Sequence, residues 1–284
     1  MHDTDTRSCT STAENAGQDT GIAAIQTRRL QTPAGVTLAW DRFGTGPPLV
    51  LVHGSFFDQR SNWQFVAPEL AHHFTVHALA RRGRGASDAT VGHSVADEAE
   101  DVAALIAAVG SPVHLLGHSY GALIALEAAR RVRDRIAKLV LYEPPLPEAE
   151  AGRETEALEG FADAGDWDMF TATFVQAELT LSDSALAELR ATPIWSQFVA
   201  AAPPTRHDLL ALPRHVFDPQ RFAGLAMPVM LQIGTESRRE TYATDALAAV
   251  LPDARVAELP EQGHAAMLIA PELYARQVID FLRG

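Results

Sequence analysis

Cysteine and long hydrophobic runs are scarce in this 284-residue chain. Cys9 is the only cysteine, and one cysteine cannot close an intramolecular disulfide. The N-terminus has no basic segment followed by an apolar one of the secretory kind, so we expect a cytoplasmic protein. Apolar runs such as residues 49–52 have the length of a strand, whereas a membrane span needs about 20 residues. The sequence therefore predicts no membrane partner.

Positive charge is also scarce. Lys and Arg total 23 against 36 Asp and Glu, which gives a net charge of −13. A surface of this sign repels nucleic-acid phosphates, so nucleic acid is not an expected partner. No pair among the 11 histidines has a spacing typical of metal ligands. We expect no metal and no cofactor, and a small-molecule substrate as the partner; the sequence leaves the oligomeric state open.

The chain divides into three kinds of segment. Residues 1–24 carry almost no large apolar side chains, so we expect a disordered tail that cannot offset its ordering entropy. Residues 25–145 and 221–284 alternate strands with helices, which predicts a parallel sheet with right-handed crossovers and helices on both faces. Residues 146–220 show helical periodicity interrupted by prolines, and we interpret them as a helical cap.

Individual elements follow from apolar periodicity and turn signals. Strands are predicted over residues 27–32 and 36–42 (a hairpin), 49–52, 74–80, 113–116, 136–142, 229–233 and 255–259. Helices are predicted over residues 63–73, 95–109, 120–132, 241–251 and 271–282.

A G-x-S-x-G motif lies between a predicted strand and a predicted helix, at Gly117-His118-Ser119-Tyr120-Gly121. Such a turn is tight, and its glycines let neighbouring backbone pass close while the serine Oγ stays exposed. The N–H groups at the start of the helix point to where negative charge develops. Ser119 is therefore the candidate nucleophile. The alternative is a helix-capping serine in a glycine-rich turn.

Two other segments follow predicted strands. His53-Gly54-Ser55 ends the strand at 49–52, where the backbone N–H of Ser55 can join that of Tyr120 as an oxyanion donor. Gln262-Gly263-His264 follows the last strand. From there His264 can reach a nucleophile on the central sheet, which makes it the candidate general base.

These motifs together resemble the α/β-hydrolase superfamily over about residues 27–283. The matching pieces are Leu49-Val50-Leu51-Val52-His53-Gly54, Gly83-Arg84-Gly85-Ala86-Ser87-Asp88, Gly117-His118-Ser119-Tyr120-Gly121 and Gly263-His264. The resemblance implies an α/β fold with a mostly parallel eight-stranded sheet, helices on both faces and a helical cap inserted after the sixth strand.

The resemblance also implies an activity and the chain order Ser, acid, His. We expect a serine hydrolase that cleaves an ester, lactone or thioester of a small, largely apolar molecule through an acyl-enzyme. One alternative is a lyase or cyclase on the same scaffold that uses the two residues for proton transfer. The other is a non-catalytic small-molecule binding protein.

The acid that orients His264 departs from the common pattern. Many relatives carry it in a Gly-x-x-Asp turn after the strand that corresponds to residues 229–233, but this chain reads Gly234-Thr235-Glu236-Ser237. A serine has no charge to stabilise an imidazolium. We therefore predict Glu143, which ends the sixth strand and which Pro144 should bias toward an extended backbone. Glu236 is the alternative acid.

Aromatic side chains are the candidates for substrate contacts. We predict Phe56, Phe170 and Trp195 as substrate-binding residues, and expect two or three large cap side chains to face the substrate. The cap set is Phe161, Trp167, Met169, Phe170, Phe174, Trp195 and Phe198.

A basic cluster, Arg81-Arg82-Gly83-Arg84, follows the fourth strand. We expect a solvated loop there. The alternative is that one of its arginines steers a substrate carboxylate.

Overall fold

The computed structural model describes residues 24–90, 92–110, 112–147 and 155–284. The predicted tail, apart from residue 24, lies outside the described residues, and so does the start of the predicted cap at residues 148–154. No helix within the described ranges is long and apolar enough to cross a membrane.

Eight strands form one sheet, as predicted. They are β1 (Gln26–Gln31), β2 (Thr37–Phe43), β3 (Pro48–Val52), β4 (Thr75–Ala80), β5 (Val113–His118), β6 (Ile136–Tyr142), β7 (Val229–Gly234) and β8 (Ala254–Leu259). Their order in the sheet is β1-β2-β4-β3-β5-β6-β7-β8. β2 pairs antiparallel with β1 and β4, and the remaining pairs are parallel.

The position of β5 determines where the site can form. Its neighbours are β3 and β6, and Leu51 and Leu115 are fully buried, as expected for apolar strands covered on both faces. Open parallel sheets bind ligands beyond the carboxyl ends of their strands. The residues that follow β3, β5 and β6 therefore meet at the edge of the sheet where a ligand can bind.

The helices cover both faces of the sheet. They are α1 (Ala67–Ala71), α2 (Val95–Val109), α3 (Tyr120–Arg131), α4 (Thr155–Ala164), α5 (Trp167–Glu178), α6 (Asp183–Arg190), α7 (Pro193–Ala211), α8 (Thr244–Ala248), α9 (Ala266–Ile269) and α10 (Pro271–Arg283). Val102, Leu123 and Leu247 pack in the core on one face, whereas Leu70 and Val278 pack on the other.

Two predicted helices are shorter than expected. The helix predicted over residues 63–73 is reduced to α1, which has a proline in its first turn. Pro68 has no N–H to donate to an earlier carbonyl, so the regular helix begins at Ala67. The helix predicted over residues 241–251 is reduced to α8, because Tyr242 has an extended backbone with φ −115° and ψ 150° and pairs with Pro145 in an isolated β-bridge.

The segment inserted between β6 and β7 contains α4 to α7, and we refer to these four helices as the cap. Pro203 and Pro204 lie inside α7 and do not end it, although their pattern predicts a break. Thr205 Oγ1 donates to Ala201 O at 2.9 Å in the same stretch of helix. Phe56, from the core, belongs to the apolar cluster of the cap with Phe170 and Ala202, so the cap and the loop after β3 share one packed interior.

Candidate active site

Ser119 lies at a strained turn between β5 and α3, with φ 55° and ψ −129°. The flanking glycines are required sterically. A Cβ on Gly117 would lie 2.5 Å from Gly121 O, and one on Gly121 would lie 2.3 Å from His53 O. The close approach predicted for the motif is thus present, and it brings the loop after β3 against the start of α3.

Glu143 lies next to His264. Its Oε2 is 2.5 Å from His264 Nδ1, and the carboxylate is completely buried. The other oxygen, Oε1, accepts from Gly234 N at 2.8 Å and from Ser237 Oγ at 2.6 Å. The serine at the position where many relatives carry the acid therefore donates a hydrogen bond to the carboxylate from the sixth strand.

The backbone of Glu143 is not extended, contrary to the expectation from Pro144. Its φ is 49°. Glu143 N still donates to Gln232 O at 3.1 Å, so the chain turns immediately after its last hydrogen bond to β7. Phe56 and Ser119 also have positive φ, and these three are among the five such non-glycine residues of the described chain. Strain of this kind is common at functional sites.

Glu236, the alternative acid, lies on an exposed turn after β7. Its backbone N–H donates to Gln262 O at 2.9 Å. The structure therefore brings Glu143 to the imidazole and leaves the Glu236 side chain at the surface.

His118 supports the loop that carries His264. Its Nε2 lies 3.1 Å from His264 O, and its Nδ1 lies 3.0 Å from Asn62 Oδ1. Burial and the neighbouring His264 hold the pKa of His118 well below its ordinary value of 6.5. Tyr142 OH donates to Gly263 O in the same loop. His118, the residue between Gly117 and Ser119 in the motif, thus holds the backbone of the His264 loop, a role that the motif alone does not indicate.

Two residues beside His264 were not predicted. The Tyr242 ring stacks on the imidazole at 5.5 Å between centroids, with 11° between planes, and its OH lies 3.1 Å from Nδ1. Glu178, at the end of α5, accepts from Tyr242 OH at 3.3 Å and lies 3.8 Å from His264 Nε2. Burial, Glu178 and Glu143 together raise the pKa of Tyr242 above its ordinary value. The cap therefore brings a carboxylate to the imidazole.

One cavity of about 110 Å³ joins most of the predicted site residues. Ser119, His264, Ser55, Tyr120 and Phe56 all line it. Its remaining wall is mainly apolar and includes Phe57, Phe174, Phe198, Leu209, Leu212 and Leu268. Such a cavity suits a small, largely apolar ligand.

Two predicted substrate contacts need correction. Phe170 is buried against Phe56 and Trp167 at 6.1 and 5.5 Å between ring centroids, and it does not line the cavity. Trp195 packs in a second cap cluster, and its Nε1 donates to Asp168 Oδ1 at 2.7 Å. Both side chains fill the interior of the cap, because its helices bury apolar faces against one another as well as toward the cavity.

The basic cluster also needs correction, since Arg81, Arg82 and Arg84 are buried. Arg81 bridges Glu98 Oε2 at 2.8 Å and Asp208 Oδ1 at 2.7 Å. Arg84 Nη2 donates to Asp208 Oδ2 at 2.6 Å. These guanidinium groups are therefore neither solvated nor directed at a substrate carboxylate.

The same network contains a group of potential metal ligands. His93, Glu98 and Asp208 have ligand atoms within 4.8 Å of one another. Arg81 and Arg84 already compensate the two carboxylates. A cation would have to displace both guanidinium groups, so we interpret the cluster as an ion-pair network.

The geometry can be compared with known proteins. The sequence model of the alpha/beta hydrolase family matches residues 49–277. The chain belongs to the alpha/beta hydrolase family. The match runs from β3 into α10, and it includes both the loop of Ser119 and the loop of His264.

Curated relatives support a hydrolase. The chain is 30% identical over 254 residues to the pimeloyl-[acyl-carrier protein] methyl ester esterase of Methylococcus capsulatus, covering 84% of this chain and 96% of that protein. It is 39% identical over 106 residues to the N-formylmaleamate deformylase of Pseudomonas putida, a match that covers 36% of this chain and 39% of the relative.

Solved structures agree in fold. An alpha/beta hydrolase from Sphaerobacter thermophilus is 29% identical with a TM-score of 0.76, covering 90% of this chain and 100% of that one. A thermophilic esterase from Thermogutta terrifontis is 26% identical with a TM-score of 0.75, covering 91% and 98%.

Proposed function

We propose that this hydrolase cleaves an ester, lactone or thioester of a small, largely apolar molecule through an acyl-enzyme. Ser119 is the nucleophile, His264 the general base and Glu143 the acid of the triad. The observation that carries the proposal is the 2.5 Å contact between Glu143 Oε2 and His264 Nδ1, made beside a cavity lined by both Ser119 and His264.

The proposed steps follow from the donors and acceptors present. Glu143 accepts a hydrogen bond from the Nδ1–H of His264, which leaves Nε2 unprotonated as the base that takes the Ser119 proton. Ser119 Oγ attacks the carbonyl carbon, and the backbone N–H groups of Ser55 and Tyr120 stabilise the oxyanion. Protonated His264 then gives its proton to the leaving group. Water, activated by the same imidazole, hydrolyses the acyl-enzyme.

The cavity supports a substrate without a negative charge near the reacting carbonyl. The nearby arginines Arg81 and Arg84 are engaged with Asp208. Glu178 lines the cavity wall, and its carboxylate would repel an anionic substrate group. The relatives named as esterases are consistent with acyl transfer.

Labelling separates this proposal from a lyase and from a binding protein. A fluorophosphonate probe should modify Ser119, identified by peptide mass spectrometry, and the enzyme should turn over at least one of a panel of aryl esters, lactones and acyl thioesters. Ser119→Ala should lose the label and about 10⁴-fold or more in kcat.

Ser196→Ala is the matched control, because Ser196 is an exposed serine on the cap. It should keep both the label and the turnover. Labelling without turnover of any ester, lactone or thioester would favour the lyase. Absence of labelling in the wild-type protein would favour the binding protein.

A further inference from the structure

We propose that helix α7 of the cap positions the loop that carries the Ser55 oxyanion donor, with Thr205 and Asp208 as the positioning residues. The inference rests on the proposed function. In this arrangement the cap, in addition to covering the substrate, is required to keep the oxyanion hole in its active geometry.

Two hydrogen bonds join this loop, residues 54–56, to α7. Ser55 Oγ donates to Asp208 Oδ2 at 2.8 Å, and Phe56 N donates to Thr205 Oγ1 at 3.0 Å. Thr205 and Asp208 are three residues apart, so they lie on one face of the helix. One helical face of the cap thus fixes both residues of the loop that follow Gly54.

The two acceptors on α7 are buried, and Ser55 is half-buried at the cavity wall. Thr205 is 0% and Asp208 1% exposed. The Phe56 ring also lies in the cap, 4.8 Å from the Phe174 ring centroid. Gly54 N donates to Asn62 Oδ1 at 3.2 Å, which ties the start of the loop to the core. The loop therefore begins on the core and continues into the cap.

Asp208 is held in place by fixed charge. Burial opposes its ionisation, but Arg81 and Arg84 outweigh burial and keep the pKa of the carboxyl below its ordinary value. An ionised carboxylate only accepts hydrogen bonds, so the Ser55 hydroxyl must donate. Arg81 Nη1 also donates to Gly54 O at 3.3 Å. The same guanidinium group thus holds the loop backbone and the cap carboxylate.

Backbone strain shows why the cap contacts matter. Phe56 has φ 58°, a conformation that costs about 1–3 kcal/mol and persists where the surroundings enforce it. The hydrogen bond from Phe56 N to Thr205 and the packing of its ring supply that enforcement. If α7 moves away, Phe56 can relax, and the preceding residue Ser55 loses both of the contacts that fix its backbone N–H in place. Misplacement of a catalytic group by 1 Å can lower the rate about 100-fold.

The test compares two buried threonines of the cap. Thr205→Val keeps the shape of the side chain and removes the acceptor of the Phe56 N–H. Thr171→Val is the matched control, because Thr171 is equally buried and its Oγ1 donates to Trp167 O at 2.7 Å. Thr205 Oγ1 makes the same bond to the carbonyl four residues earlier. The two variants therefore lose the same bond within a helix, and Thr205→Val alone also loses the bond to the loop.

We expect Thr205→Val to lower kcat on p-nitrophenyl butyrate by about 10-fold or more, with KM changed less than about twofold. The affinity for a phenyl trifluoromethyl ketone, which places an oxyanion in the hole, should fall by the same factor. Thr171→Val should keep kcat and the ketone affinity, and its Tm should fall no more than that of Thr205→Val, which also leaves the buried Phe56 N–H unpaired. Thr205→Ser, which restores the hydroxyl, should recover kcat.

Equal kcat and ketone affinity in the two valine variants would overturn the inference. The proposed function would then stand, provided that the fluorophosphonate still labels Ser119 in the wild-type protein; absence of that label overturns both. If Thr205→Val does not fold, Ser55→Ala decides the question, because it removes the hydroxyl that binds Asp208 and keeps the backbone amide. A fall in kcat at native Tm supports the inference, and an unchanged kcat contradicts it.

Discussion

Two buried carboxylates contact residues that line the cavity, His264 and Ser55, and their other partners differ in kind. Glu143 belongs to the core and contacts the imidazole of His264, whereas Asp208 belongs to the cap and contacts the guanidinium groups of Arg81 and Arg84. A carboxylate opposite a titratable ring can support proton transfer, since it stabilises the protonated ring. A carboxylate between two permanent cations is a fixed structural charge. The comparison therefore supports the proposed role of Glu143 in catalysis and of Asp208 in attachment of the cap.

The largest effect expected from this comparison is on turnover. Glu143→Gln should lower kcat by about 10²–10⁴-fold with little change in KM, because the imidazolium loses its counter-charge. Its Tm should stay close to that of the wild-type protein, since the amide oxygen can still accept from Gly234 N.

Glu236→Gln is the control for this prediction, because Glu236 is exposed. Steady-state kinetics should show near-native values for this variant. The reverse ranking would make Glu236 the acid, and two mild effects would mean that His264 works without a charged partner.

The next largest effect is on stability. Asp208→Asn should reduce the free energy of unfolding by about 3–5 kcal/mol, because it leaves the buried charges of Arg81 and Arg84 undercompensated. Urea denaturation measures this difference. Asp163→Asn, which removes an exposed ion pair of the cap with Arg206, should change it by less than about 1 kcal/mol. A similar loss in both variants would contradict the structural role of the buried network.

The contribution of Asp208 should also depend on pH. The pKa of its carboxyl is lowered from 3.8 in the folded protein. The stabilisation is therefore complete above that ordinary value and is lost as the pH falls through the lower folded pKa. The stability difference between wild type and Asp208→Asn should accordingly narrow in acid and stay constant near neutrality.

The smallest effect is on substrate preference. Phe198 lines the cavity and Phe170 packs inside the cap. Phe198→Ala should change the ratio of kcat/KM between short and medium acyl chains by about 10-fold, whereas Phe170→Ala should lower stability by about 3–5 kcal/mol and leave that ratio unchanged. Equal changes of preference in both variants would place Phe170 at the substrate.

The central part of the fold follows from local sequence. Strands β3, β5 and β6 are short apolar runs, and the helix predicted over residues 95–109 has the bounds of α2. Its N-terminus carries a capping box between Ser94 and Asp97, a local device that depends on near neighbours. Ser237 occupies the position where many relatives carry the aspartate, and a hydroxyl cannot supply a negative charge. The sequence therefore predicted Glu143 as the acid.

Residues of the cap show where local sequence is insufficient. Phe170, Trp195, Phe174 and Phe198 all lie on helices with apolar faces, and their spacing does not distinguish a face buried inside the cap from one that lines a cavity. The structure places the first two in the interior and the other two on the wall.

By itself, the sequence determined the strand order along the chain, the tight turn at Ser119 and the loops that carry Ser55 and His264, because turns and strands depend on residues close in sequence. Tertiary structure alone decided that Asp208 contacts Ser55, 153 residues earlier in the chain. It also decided that Glu178, on the cap, contacts His264, on the core. Contacts over such distances depend on how whole helices pack, and no local pattern encodes that packing.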